Sequence, residues 1–144
     1  MNYTTIKQSK KLLELGLSPE SADMVYIMFD GKPLDDDAKL STVFESKDHK
    51  WYWIDFIDGS WDICEEDIPC WSLGALLKLM PTSIEEVKNH KVDLIFGHPK
   101  DKWCATYFDW TGLQHGHSTA GDTPLEAAYN MVCWLLENAF LKKE

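Results

Sequence analysis

Two imidazoles two residues apart, at His115-Gly116-His117, form the pair in this chain best spaced for chemistry. On an extended segment that spacing points both rings the same way, and neutral imidazole is a good ligand for zinc and similar ions. Asp109 or Cys104, close by in a hairpin, would supply a third ligand. The plainer reading is that two histidines in a glycine-flanked loop face solvent. That reading is taken, so no metal and no cofactor is expected. A second concentration of ionisable groups is the acidic run Asp55, Asp58, Asp62, Glu65, Glu66 and Asp67, with no lysine between Trp51 and Cys70. Such carboxylates can hold Ca²⁺ or divide acid and base roles. Their spacing does not match an EF-hand loop, and an acidic edge that discourages strand pairing is the simpler account. Trp51 and Trp53 share one strand face, which suits stacking on a base or sugar but suits core packing better.

No serine or cysteine nucleophile stands at a recognisable spacing, and the chain has no Walker loop, dinucleotide glycine fingerprint or hydrolase elbow. The expected protein is therefore not an enzyme. Four cysteines (Cys64, Cys70, Cys104, Cys133) include no Cys-x-x-Cys pair and read as reduced thiols. Residues 1–11 are polar with no apolar segment, and no run approaches the ~18 apolar residues of a membrane span. A cytoplasmic protein without membrane contact is expected. The net charge is −10, and all 14 basic residues are lysines. Arginine is the residue best suited to bidentate phosphate and guanine contacts, and an acidic field repels a polyanion, so no nucleic acid is expected as partner. Lys7, Lys10 and Lys11 are read as a solvated helix face.

With 144 residues, 44% of them hydrophobic and seven of them tryptophan, the chain can bury one good core. No repeat or linker interrupts it, so residues 1–144 are read as a single domain. A helix is expected over 4–15 with Gly16 as its stop, and a short turn over 18–21 after Ser18-Pro19. Residues 24–29 read as a buried strand ended by Asp30-Gly31. Asp35, Asp36 and Asp37 cap a short helix over 38–45. Strands are expected over 51–57 and 61–64, paired about Asp58-Gly59. Pro69 starts a helix whose stripe is Leu73, Leu76, Leu77 and Met80, stopped by Pro81. Ser83 to Glu86 resembles a capping box and opens a helix to Asn89. Residues 92–97 and 103–110 are two strands, and 112–121 a loop. An antiparallel sheet with helices packed mainly on one face buries these stripes, giving an α+β fold.

The closing helix is the best marked element. Asp122 or Thr123 serves as N-cap, Pro124 fits the first helical position, and Glu126 complements the dipole. Leu125, Ala128, Tyr129, Val132, Leu135, Leu136 and Ala139 make one apolar face. Leu136→Ala or Leu77→Ala should then each cost roughly 2–5 kcal/mol. At about 100° per residue Trp134 points away from that face, with Ala127 and Asn130 beside it. These three residues are the candidate surface for self-association or for a protein partner, since tryptophan is enriched at such anchors.

Three blocks in order, 18–24 (SPESADM), 69–81 (PCWSLGALLKLMP) and 123–138 (TPLEAAYNMVCWLLEN), resemble a group of short uncharacterised proteins of gut-bacterial phages and mobile elements. The resemblance implies such an origin and no activity. Within 91–140, the strand ending Tyr107-Phe108-Asp109, then Gly112, Gly121-Asp122-Thr123 and Glu126-Ala127, is similar to HicB-type antitoxin domains, with a longer loop at 113–120. That likeness implies an acidic protein that masks a small basic toxin. The expected function is a non-enzymatic protein-interaction module; the alternatives are the antitoxin and a metal-binding protein using His115 and His117.

Overall fold

A reciprocal cap opens the first helix, α1 (Ile6–Glu14): Gln8 N–H donates to Thr5 Oγ1 at 3.1 Å and Thr5 N–H to Gln8 Oε1 at 2.9 Å. It closes on Gly16 at φ +94°, with Leu17 N–H reaching Leu12 O and Gly16 N–H reaching Leu13 O, so the expected glycine stop is present. The computed structural model describes residues 2–41, 43–45, 47, 51–54, 61–63, 67–81, 83–87, 90–97, 101–108 and 115–141. For residues 45, 61–63, 83, 85–87, 90–94, 108, 115 and 116 that description covers the backbone. The chain divides into two compact units, one built on the residues up to Ala75 and one on Leu76–Lys142. Helices and small antiparallel sheets make the architecture α+β.

In the first unit a one-turn 3₁₀ helix at Pro19–Ser21 starts from Ser18, as its cap-and-proline signal implies. Strands follow: β1 (Met24–Tyr26), β2 (Met28–Phe29), β3 (Lys32–Pro33), β4 (Lys39–Leu40), β5 (Val43–Glu45), β6 (Trp51–Ile54), β7 (Trp61–Ile63) and β8 (Ile68–Cys70). β1 is central to the order β4-β1-β8, β2 and β3 form a hairpin, and β5-β6-β7 is a meander. Apolar side chains line both faces of β1. Met24 and Tyr26 pack with Ile68 and Cys70, whereas Val25 packs with Val43 and Trp53, so Trp53 is core as expected.

Three expectations fail in this unit. Residues 24–29 are not one buried strand: they divide into β1 and β2, which join different sheets, and Phe29 is 72% exposed. Within the expected helix, residues 39–40 and 43–45 form β4 and β5 instead, because Leu40 pairs with Met24 and the buried Val43 pairs with Trp53. These long-range partners outweigh a weak local helix signal. Pro69 lies inside β8 opposite Val25 instead of starting a helix; on an edge strand its missing N–H costs little. The helix begins later, as α2 (Leu73–Leu79), after Ser72. Ala75 N–H donates to Ser72 Oγ at 3.1 Å, and Asp23 holds Ser72 by accepting from both its hydroxyl and its N–H. Leu76 and Met80 of the expected stripe are buried, but Leu77 is 40% exposed and leaves it.

The second unit is a four-stranded antiparallel sheet. Its strands β9 (Ser83–Val87), β10 (His90–Gly97), β11 (Trp103–Phe108) and β12 (His115–Gly121) run in the order β12-β11-β10-β9. The helix α3 (Pro124–Glu137) packs against β11 and β12. Residues 83–87 are thus a strand, not a helix: Ile84 is buried opposite Val92, and pairing with β10 overrides the capping-box pattern. Residues 115–121 are likewise a strand and not a loop, zipped to β11 with Ser118 Oγ and Thr106 Oγ1 2.8 Å apart. Thr123 caps α3 by accepting from Glu126 N–H at 3.2 Å, with Pro124 in the first turn. Tyr107 is fully buried and donates its hydroxyl to Pro81 O at 2.7 Å; burial pushes its pKa upward.

β12 meets α3 so closely that a Cβ on Gly121 would lie 2.5 Å from Glu126 Cβ and 2.7 Å from Ala127 N. Real carbons do not approach backbone that closely. Gly121→Ala should therefore cost about 1–3 kcal/mol, read as a lower urea midpoint at unchanged slope. An unchanged midpoint would show that β12 and α3 are less tightly joined.

Candidate interaction surface

The geometry pulls apart the three residues expected to share a surface on α3. Ala127 is fully buried, a correction to the expectation that it lies outside, and Thr119 Oγ1 donates to its carbonyl at 2.9 Å. The cause is the tight crossing at Gly121, which puts the first turn of α3 beneath β12. Trp134 is half-buried and stacks flat on His117, with ring centroids 4.1 Å apart and planes 4° apart. Phe140 stacks on the same indole at 5.3 Å. Asn130 is exposed and donates from Nδ2 to Ala120 O at 2.9 Å. Trp134 is thus engaged by its own unit, and Asn130 ties α3 to β12.

The histidine pair is divided in the same way. His117 spends one ring face on Trp134, and of His115 the structure describes the backbone, opposite Phe108. Cys104 pairs with Ala120, three residues along β11 from Tyr107, the partner of His117. An odd separation on a strand puts Cys104 on the other sheet face, so it is not brought to His117. Asp109 lies outside the described residues. Among those described, no group of three or more His, Cys, Asp or Glu converges.

Of the acidic run, Asp67 is the described side chain. Its Oδ1 accepts from Met28 N–H at 2.8 Å and its Oδ2 from Trp53 Nε1–H at 2.7 Å, so it clamps the base of the β2–β3 hairpin to β6. Charge-assisted bonds of this kind are stronger than neutral ones. Asp55, Asp58, Glu65 and Glu66 lie outside the described residues. Cys70 is buried, donates to Thr4 O at 3.3 Å, and burial pushes its thiol up to about 11, which keeps it protonated and unreactive. The lysines of α1 line an open groove with Ile6 and Glu14.

The surface that sequence reasoning missed is the β2–β3 hairpin. Phe29 pairs with Lys32 and Met28 with Pro33, while Leu34 N–H donates to Ile27 O at 2.8 Å. The two turn residues, Asp30 at φ +50° and Gly31 at φ +78°, have the positive φ of a type I′ turn, which favours Asp-Gly. Side chains 27, 29, 32 and 34 then share one face. Phe29 is 72% exposed and Leu34 62%. The Asp-Gly pair was legible as a strand end; reading it as a two-residue turn would have put Phe29 at a hairpin tip. Fold and surface define an α+β chain with an apolar, acid-flanked hairpin tip. Comparison with protein-family models, curated proteins and solved structures finds no match.

Proposed function

We propose that this chain is a non-enzymatic protein-interaction module of phage or mobile-element type, and that it docks through the β2–β3 hairpin. The observation that carries the docking is the exposure of Phe29 and Leu34 on one face of a rigidly turned hairpin. Large apolar side chains held in water on a fixed scaffold lose little entropy when a partner covers them. The origin rests on the three sequence blocks, at 18–24, 69–81 and 123–138. The test is affinity capture from the native host, comparing the wild-type chain with Phe29→Ser/Leu34→Ser. A protein recovered with wild type and lost with the variant is the expected result; equal recovery with both would remove the hairpin from the account.

A second reading, an antitoxin-like inhibitor of a small basic toxin, is supported by the order β11, β12, then Gly121-Asp122-Thr123 capping α3. Co-expression with a small basic protein encoded next door distinguishes it, since growth arrest by that neighbour should be relieved by this chain.

A further inference from the structure

We infer that the occupant of the hairpin face is a cationic, apolar segment of another protein, one that offers leucine-like side chains to Phe29 and Leu34 and lysine or arginine to the aspartates around them. This rests on the proposed docking function and names the chemistry of its partner.

The hairpin is held from both sides. Met28 packs on the Met24–Tyr26–Ile68–Cys70 cluster and its N–H is taken by Asp67. Ile27 packs on Val25, Val43 and Trp53 from the opposite face. Beyond these anchors Phe29 and Leu34 project from a turn whose two positive-φ residues fix its shape. Such an anchor is pre-organised, which is the usual property of a binding hot spot.

Charge selects the occupant. Asp30 lies in the turn, Asp35 and Asp36 directly follow Leu34, and all three are exposed; Lys32 is the lone cation in the stretch 29–36. The chain as a whole carries −10. A second copy would bring the same aspartates against themselves, and a nucleic acid would bring phosphates. A basic protein segment satisfies the aspartates and the apolar face together.

The experiment titrates the full chain with a synthetic amphipathic peptide of alternating leucine and lysine, and with its twin bearing glutamate for lysine. Titrations are run at low salt and at about 0.3 M salt, where exposed charges are largely screened. The lysine peptide should bind wild type, and Phe29→Ser/Leu34→Ser should weaken it about tenfold. Asp35→Asn/Asp36→Asn should remove most of the salt dependence. Both variants change exposed side chains and should keep the wild-type unfolding midpoint. No binding of the lysine peptide, or equal binding of the glutamate twin, would overturn the cationic occupant while leaving the hairpin a docking surface. Wild-type affinity in the Phe29/Leu34 variant would overturn the docking function as well. Sedimentation showing a wild-type dimer that the same variant dissociates would make the occupant a second copy and so overturn the inference.

Discussion

Trp71→Ala should destabilise the first unit by about 3–5 kcal/mol, the range for emptying a fully enclosed large aromatic site. Trp71 has no exposed surface, and its Nε1–H donates to Ser21 Oγ at 2.9 Å. Its backbone is bonded on both sides, with N–H to Thr4 Oγ1 at 3.1 Å and C=O from Thr4 N–H at 2.9 Å. Those bonds survive the substitution, so the surroundings cannot collapse freely into the vacated volume. Folded domains hold only about 5–15 kcal/mol in reserve, so the loss is a large fraction of the whole. Urea unfolding followed by hydrogen exchange at Val25 and Tyr26 reads it. A loss below about 1 kcal/mol would mean that the indole is not enclosed as described.

Leu136→Ala should cost about 2–5 kcal/mol, and Leu77→Ala under about 1 kcal/mol. The two leucines looked equivalent in sequence, each on an amphipathic stripe. Leu136 has no exposed surface, whereas Leu77 keeps 40% of its area in water. Transfer of a side chain already wetted recovers little, and the cavity term disappears with it. Chemical denaturation of both variants decides the matter: equal losses would show that Leu77 is covered in solution.

The start of α3 was legible because its causes are local, whereas its apolar face was read less well: Ala139 lies exposed past the helix end and Met131 is buried. Thr123, Pro124 and Glu126 act within one turn, and the structure uses Thr123 as the cap and Pro124 in the first turn as their types imply. The β10–β11 pair and the glycine stop at Gly16 were legible for the same reason. What was not legible depended on distant partners. Val43 becomes a strand residue because Trp53 pairs with it, and Pro69 because Val25 does. Neither fact is written near those positions. The burial of Ala127 follows from the approach of Gly121 to the helix, a packing event that no helical wheel contains. The candidate surface moved for a related reason. Trp134 faces away from the leucine stripe, yet His117 and Phe140 stack on it. Meanwhile Phe29 sat in an apolar run that looked buried.

The opening residues of the chain belong to the middle of their unit. Leu73 N–H donates to Asn2 O, Tyr3 bridges to Ser72, Thr4 N–H donates to Trp71 O, and Tyr26 gives its hydroxyl to Thr4 O. Residues 2–4 therefore wait for almost the last segment of their own half before they can dock. Until residue 73 has emerged, Thr4 lacks the partners that bury it, and a nascent chain arrested earlier should leave residues 2–4 undocked and open to proteases and chaperones.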